Sequence, residues 1–397
     1  NTTSDPNSTT APSTQAQMAY AQLLKAEFES VGVKDVKITD KGIVMAYLPA
    51  TEGLETMPAM GLIAHMDTSP EASGEPAQWQ VLNYQGGDIV LNKDKNIVLS
   101  LERFPGVAKY AGEQLVVTDG TTLLGADDKA GIAIIVETAR YFVEHPEIPH
   151  AKLCFAVTPD EEVGRGTENF DIEEFGAQYA YTFDGDELGG FETETFNAAM
   201  VKVHFEGLNV HPGSAKNKMV NAIRMAMDFI ARLPAESAPE KTEGHEGFFH
   251  PMGISGAVRG VDLKMLIRDH SNSRFEDRMN YVRKMVEEMN KVWGDRVSAD
   301  IKVQYHNLKN YLDKHPAVCN LAREAYRRIG VEIHEKPVRG GTDGARLSAK
   351  GLPTPNLFTG GMNYHGVYEC LSVTGIQRAL DLGIMLGKMS AEVKTLD

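Results

Sequence analysis

The hydrophobic pattern of the first half of the chain alternates between helices and strands. Residues 17–31 place apolar side chains at helical spacing, which predicts an amphipathic helix. Residues 131–142 are mostly apolar and predict a longer helix. Short apolar runs predict buried strands at residues 36–38, 43–48, 60–64, 152–157 and 179–183. Apolar strands that alternate with helices imply a largely parallel sheet with helices on both faces.

The pattern changes near residue 198, where apolar residues begin to alternate with polar ones. Val201, Val203 and Phe205 predict a half-exposed strand. The elements predicted after it are a helix at 218–233, strands at 254–259 and 263–269, a helix with Phe275, Met279, Val282, Val286 and Met289 on one face, and a strand with Ile301, Val303 and Tyr305. This β-α-β-β-α-β order is that of a split ferredoxin-like unit.

The alternation of helices and strands resumes near the C-terminus. It predicts a helix at 315–329, a strand near Pro337, a strand at 355–358 and a helix at 373–389. One domain is therefore interrupted by another. We predict an α/β fold in which a mostly parallel mixed sheet flanked by helices forms a catalytic domain at 1–197 and 309–397. A ferredoxin-like α+β domain is inserted at 198–308.

Length, charge and cysteine content narrow the classes of function. The 397 residues exceed what one hydrophobic core usually serves. A net charge of −15 disfavours a nucleic-acid partner, which needs a clustered basic face. No apolar run in the sequence approaches the ~20 residues that cross a bilayer, so we expect no membrane partner. Three cysteines without a Cys-x-x-Cys pair favour a reducing compartment, which we take to be the cytoplasm.

Acidic and imidazole side chains follow several of the predicted strands. His65 and Asp67 come directly after one strand, residues 160–162 (Asp-Glu-Glu) follow a second, and Asp184 follows a third. Open α/β sheets bind ligands at the carboxyl ends of their strands. We therefore expect these side chains to converge at one edge of the sheet.

Carboxylates that converge in this way need a cation, because like charges a few ångströms apart cannot all ionise. Imidazole and carboxylate ligands together suit zinc. Hydrolases often hold two such ions, and one carboxylate must then bridge them. The segment Gly-Ala-Asp-Asp-Lys offers Asp127 or Asp128 for this role. Acidic residues at a helix N-terminus are also common without any metal, since they complement the helix dipole.

Seven segments of the chain resemble those of one enzyme family. They are HMDTSP, TDGTTLLGADDKAGIA, TPDEEVG, NVHPGSAKNKMVNA, IRDH, RGGTDGA and NLFTGGMNYHG. Together they resemble the peptidase T family, the tripeptide aminopeptidases of the M20 group of zinc peptidases. The resemblance covers nearly the whole chain, including the inserted domain. The family usually begins with one further helix, so we expect that residues precede Asn1.

The resemblance implies a metal site with two zinc ions. Its five ligands would be His65, Asp127, Glu162, Asp184 and His365. Asp127 would bridge both ions, Glu162 and His365 would bind one of them, and His65 with Asp184 would bind the other. Asp67 would orient His65. Asp128 would not be a ligand.

Further residues are implied in catalysis and in substrate binding. Glu161 would be the general base and then the general acid, a role that a two-metal hydrolase also requires on chemical grounds. His211 would reach the site of a partner subunit and stabilise the oxyanion, which requires a homodimer. Arg268, a cation at a predicted strand end, would pair with a peptide carboxylate, and a surface ion pair is the alternative. Asn217 would contact the substrate backbone.

These observations predict a di-zinc aminopeptidase that releases the N-terminal residue of tripeptides. Its partner is a short peptide substrate. The alternative within the M20 group is a dipeptidase, a carboxypeptidase or an N-acyl amino-acid amidohydrolase, since these enzymes share the same metal core. A non-catalytic homologue is the alternative from another class. All five ligands, Asp67 and Glu161 are present in the sequence, which disfavours it.

Overall fold

The fold is described from a computed structural model, which describes residues 1–75 and 78–396. Its α-helices are α1 (Gln15–Ser30), α2 (Ala126–Glu144), α3 (Ile172–Phe175), α4 (Ala222–Arg232), α5 (Asn272–Trp293), α6 (Lys309–Leu312), α7 (Pro316–Ile329), α8 (Asp343–Ala349) and α9 (Val373–Ser390). Its strands are β1 (Asp35–Ile38), β2 (Val44–Leu48), β3 (Met60–His65), β4 (Trp79–Asn83), β5 (Ile89–Asn92), β6 (Ile97–Leu99), β7 (Gln114–Thr118), β8 (Leu153–Thr158), β9 (Tyr179–Gly185), β10 (Gly190–Glu192), β11 (Asn197–Glu206), β12 (Phe248–Ala257), β13 (Gly260–Asp269), β14 (Val297–Tyr305), β15 (His334–Glu335), β16 (Asn356–Phe358), β17 (Gly361–Met362) and β18 (Cys370–Ser372).

The first of two compact units is built on an eight-stranded sheet. It comprises Asn1–Thr193, Tyr311–Lys336 and the C-terminal stretch from Thr342. The strand order is β1-β2-β8-β3-β9-β16-β10-β15. Neighbours from β8 through β16 pair in parallel, whereas β1, β2 and β8 pair antiparallel. Every residue of β2, β3 and β8 is buried, as expected for strands covered on both faces. The predicted mixed α/β fold is confirmed.

The structure adds two small sheets that were not predicted from the sequence and moves the bounds of two predicted elements. A small sheet forms in the order β17-β18-β7-β4, and β5 pairs with β6. The helix predicted at 131–142 begins earlier, at Ala126, although Asp127 and Asp128 depart from helical backbone angles. The strand predicted near Pro337 lies at His334–Glu335.

The second compact unit comprises Glu194–Asn310 and Pro337–Gly341. Its elements follow the predicted order β11-α4-β12-β13-α5-β14, and the antiparallel sheet has the strand order β12-β13-β11-β14. Apolar residues of α4 and α5, including Met225, Phe229 and Met279, pack against this sheet in one core. The methionine and aromatic stripe of α5 therefore serves packing.

The segment 337–341 belongs to this second unit, whereas the sequence prediction placed it with the catalytic part. The reason is local hydrogen bonding. Val338 forms a bridge with Thr195, and the Arg339 guanidinium donates to the carbonyls of Gly244 and Glu246.

Within the described residues, none of the helices is both long enough and apolar enough to cross a membrane.

Candidate metal centre

The five predicted metal ligands lie together in the first unit. His65 ends β3, Asp184 lies near the end of β9, and Glu162 follows β8. Since these strands are parallel neighbours, their carboxyl ends meet at one edge of the sheet. Asp127 lies at the start of α2, and His365 lies in the loop between β17 and β18. His365 has a φ of 61°, a left-handed conformation that is uncommon for a residue other than glycine.

The Asp127 carboxylate faces both histidines, one with each oxygen. Its Oδ1 lies 2.9 Å from His65 Nε2, and its Oδ2 lies 3.2 Å from His365 Nε2. His65 Nε2 also lies 3.3 Å from Asp184 Oδ1, and His365 Nε2 lies 3.0 Å from Glu162 Oε2. The Nε2 atom of each histidine thus lies close to Asp127 and to one further carboxylate. This is the donor arrangement that a bridging ligand between two cations requires.

Asp67 contacts both His65 and the loop that carries Glu161 and Glu162. Its Oδ1 lies 3.3 Å from His65 Nδ1, the ring nitrogen that points away from the cluster. The same carboxylate accepts the backbone N–H groups of Glu161 at 3.0 Å and of Glu162 at 3.1 Å. Asp67 is fully buried. It therefore contacts one predicted ligand and binds the backbone of the loop that carries Glu161 and Glu162.

Asp128 is the second aspartate of the ambiguous pair, and its carboxylate is engaged by backbone groups. Oδ2 accepts the N–H of His65 at 3.0 Å, and Oδ1 accepts the N–H of Gly131 at 3.2 Å. Gly131 makes room for it, since a Cβ there would lie 2.4 Å from Oδ1. An oxygen of Asp128 also falls within 4.8 Å of ligand atoms of His65 and Asp184, so proximity alone admits it as a ligand. Its two backbone hydrogen bonds favour a structural role.

We predict that Asp128→Asn keeps two bound ions and loses stability. An asparagine side chain offers only one acceptor oxygen, so one buried N–H is left unpaired. This costs about 1–3 kcal/mol of the free energy of unfolding. Chemical denaturation measures the loss, and metal analysis of the dialysed protein gives the stoichiometry. A protein that binds one ion fewer would assign Asp128 as a ligand.

In the absence of a bound cation, protonated His65 and His365 offset part of the negative charge of the carboxylates. Although burial opposes it, hydrogen bonds from His365 and His65 hold the pKa of Asp127 below its usual range. Hydrogen bonds to Asp127 and Glu162 raise the pKa of His365 to about 11. Burial raises the pKa of Asp184 to about 7. A metal ion that binds here would displace protons from both rings.

The donor set fits a pair of divalent ions such as zinc. Two imidazoles and three carboxylates offer nitrogen and oxygen ligands, and all are at least partly buried except His365. Glu162 Oε1 is buried, and no hydrogen-bond partner for it occurs in the described part of the chain. A buried carboxylate oxygen of this kind fits a metal ligand, because buried polar atoms normally have a partner.

Glu161 lies beside the ligands but makes no contact with either histidine among the described ion pairs. Burial, together with the nearby charges of Asp343 and Asp184, raises the pKa of its carboxyl group well above the usual value. Arg346 lies on the other side, with its Nη1 3.9 Å from Glu161 Oε1. A buried carboxyl group of raised pKa beside the predicted ligands is a candidate for proton transfer.

Some residues of the site were not predicted from the sequence. Asn356 Oδ1 accepts the backbone N–H of Asp184 at 3.1 Å, and Glu369 accepts the backbone N–H of Asp127 at 2.9 Å. Both partners lie more than 170 positions away in the chain. The only sequence signal was that Glu369 follows His365 within the segment YHGVYE.

Three further predicted residues belong to the second unit, where their roles stay predictions. His211 is exposed at the start of a short 3₁₀ turn, and its Nδ1 accepts the N–H of Gly213 at 3.1 Å. Asn217 has a left-handed φ of 59°. The Arg268 guanidinium lies near the end of β13, 5.1 Å from the centre of the Tyr305 ring.

Comparisons with known proteins identify relatives of this chain. A family profile described as a peptidase dimerisation domain matches residues 193–294. Peptidase T of Clostridium acetobutylicum is 49% identical over 393 residues, which are 98% of this chain and 96% of that protein. The crystal structure of the aminopeptidase PepT from Bacillus cereus has a TM-score of 0.73 at 25% identity and covers 93% of this chain and 92% of that one. A tripeptidase structure from Staphylococcus aureus has a TM-score of 0.75 at 22% identity, with coverage of 97% and 95%.

Proposed function

The chain belongs to the peptidase T family, and we propose on this basis that it is a di-zinc aminopeptidase that removes the N-terminal residue from tripeptides. The observation that carries the proposal is the Asp127 carboxylate, which faces His65 with one oxygen and His365 with the other. Family membership supports a peptidase that acts on tripeptides. The identity of the metal and the number of ions are part of the proposal.

The residues that would hold the two ions divide into two sets that share Asp127. His65 and Asp184 serve one ion, and Glu162 and His365 serve the other. Bound zinc polarises the scissile carbonyl and makes water a stronger acid. Asp67 keeps His65 in the correct orientation, and Glu71 Oε2 lies 3.4 Å from the outer Nδ1 of His365. Each imidazole ring thus has a carboxylate beside the nitrogen that would not bind an ion.

Proton transfer is assigned to Glu161. Its carboxylate takes a proton from the attacking water and delivers the proton to the nitrogen of the leaving amine. The backbone of Glu161 is held by Asp67, so the side chain starts from a fixed point beside the ligands. The charges of Asp343 and Asp184 favour the protonated form, and Arg346 favours the ionised form. Glu161 can therefore serve in both states.

A comparison of substrates tests the proposed activity. The chain should hydrolyse an unblocked tripeptide and release its first residue, which amino-acid analysis identifies. The corresponding dipeptide, the N-acetylated tripeptide and an N-acyl amino acid are the competing substrates. Faster turnover of the dipeptide, release of the C-terminal residue, or equal cleavage of the blocked peptide would assign the chain to another activity of the M20 group.

We further propose that the chain acts as a homodimer through its second unit. The matched dimerisation profile covers most of that unit. β12 is an edge strand, and its last six residues are exposed. Met252 and Ile254 on this strand are 54% and 52% exposed, and Met227 on α4 is 64% exposed. Apolar residues on an open strand edge and a neighbouring helix suit pairing with a second copy.

His211 is proposed to serve the metal site of the partner subunit. Its Nδ1 accepts a backbone N–H, so the neutral ring carries its proton on Nε2. The exposed side chain thus offers one hydrogen-bond donor to an oxyanion. The family resemblance is the ground for assigning this donor to the partner's site.

Mixed dimers test whether His211 acts across subunits. We predict that His211→Ala and Glu161→Gln proteins are each nearly inactive alone and regain activity when subunits are exchanged. Each mixed dimer would contain one site with Glu161 from one subunit and His211 from the other. When equal amounts of the two proteins exchange subunits, half of all dimers are mixed, and each mixed dimer has one intact site of two. About a quarter of wild-type activity is therefore expected. If the mixture is no more active than its components, His211 does not act in trans.

The compartment is proposed to be the cytoplasm. Burial raises the pKa of the Cys154 and Cys370 thiols to about 12, so both are poor nucleophiles and are kept from oxidants. Buried, unreactive thiols in a chain without a Cys-x-x-Cys pair suit a reducing environment.

A further inference from the structure

Glu369 is a buried carboxylate whose described hydrogen bonds join it to backbone N–H groups of the turn before α2. It is 2% exposed and immediately precedes β18, which pairs with β7. Its Oε2 accepts the N–H of Gly125 at 2.7 Å, and its Oε1 accepts the N–H of Asp127 at 2.9 Å. Both oxygens are therefore used by the turn that leads into α2.

The backbone of that turn departs from helical geometry. Gly125 adopts a left-handed φ of 75°, and Asp127 and Asp128 have non-helical backbone angles although they stand at the start of α2. The first N–H groups of a helix have no partner within the helix. Glu369 supplies partners for two of them from a residue more than 240 positions away.

The same short segment also contacts the side chain of Asp127. His365 Nε2 lies 3.2 Å from Asp127 Oδ2, and Glu369 follows four residues later. Residues 365–369 thus contact Asp127 at two points. His365 contacts its carboxylate, and Glu369 accepts a hydrogen bond from its backbone nitrogen. A shift of the backbone at Asp127 would move both carboxylate oxygens relative to both histidines.

We propose that Glu369 is a positioning residue that sets the place of the bridging carboxylate of Asp127 for both metal ions. The inference rests on the proposed two-metal function. Glu369 touches neither histidine ring in the described contacts and acts through the backbone of Asp127. Its loss should therefore weaken both metal sites together, whereas the loss of Asp184 or Glu162 should weaken one.

The Glu369→Gln variant tests this proposal. Glutamine keeps the shape but has one acceptor oxygen, so its NH₂ group faces one of the two N–H donors. Zinc is titrated by calorimetry into protein stripped with a chelator. We expect the affinity for both ions to fall by about 10- to 100-fold. Glu113→Gln is the matched control, since Glu113 accepts a hydrogen bond from Ser372 Oγ on β18 at 2.7 Å and is remote from Asp127 in these contacts.

Thermal unfolding separates positioning from simple stabilisation. The proposal predicts that Glu369→Gln lowers the melting temperature of the zinc-loaded protein more than that of the stripped protein. An equal fall in both, with unchanged zinc affinity, would overturn it. Glu369→Asp keeps the charge but is one methylene shorter, so it should give an intermediate zinc affinity. It replaces Glu369→Gln in both measurements if the glutamine variant does not fold. If the wild-type protein binds no zinc, the proposed function fails instead.

Discussion

Glu161→Gln should bind two zinc ions with unchanged affinity and lose tripeptidase activity by on the order of 10³-fold. The substitution is nearly isosteric, and the backbone N–H of Glu161 keeps its bond to Asp67. The ligand Glu162 therefore stays in place. Only the ability to accept and return a proton is removed. Steady-state turnover of an unblocked tripeptide, with metal analysis of the same sample, measures both effects.

The control for this experiment lies on the same loop. Glu168 is exposed, and Glu168→Gln changes the same charge without touching the cluster. It should retain full activity. A Glu161→Gln protein that holds both ions and turns over tripeptide at the wild-type rate would require a different general base.

Asp127→Asn should remove both ions, whereas Asp184→Asn should remove one. Asparagine has a single acceptor oxygen and no charge, so it cannot face His65 and His365 with two equivalent oxygens. The metal supplies several kcal/mol of transition-state stabilisation, so activity should fall by at least about 10³-fold. Metal stoichiometry after dialysis separates the two variants.

Asp186→Asn provides the comparison for these variants, because Asp186 is exposed and lies two residues after Asp184 on the same strand end. It should keep both ions. If Asp127→Asn still binds two ions, Asp127 does not bridge them. The bridging role would then have to be reassigned, with Asp128 as the nearest candidate.

The sequence predicted the part of the site that depends on strand ends. The apolar runs before His65 and Asp184 are buried throughout, so their ends were easy to locate, and parallel strands carry those ends to the same edge. The inserted α+β elements were also predictable, because their apolar residues keep clear periods of two and of three to four.

Pairing between distant segments could not be predicted in this way. β18 pairs with β7 across more than 240 positions, and β18 has only three residues, too few for a distinct periodic signal. Glu369 acquires its role only through that pairing. The sequence alone also could not show whether Asp127 or Asp128 is the bridging ligand, since both lie at the same turn. The direction of each carboxylate, toward imidazoles or toward backbone N–H groups, distinguishes them.

Removal and restoration of metal show whether catalysis depends on two zinc ions. The protein is stripped with a chelator, and release of the N-terminal residue from an unblocked tripeptide is followed as zinc is returned in steps. The stripped protein should show no turnover, and activity should recover fully at two equivalents of zinc per chain. Turnover that persists in the stripped protein, or zinc that binds without restoring activity, would contradict this dependence.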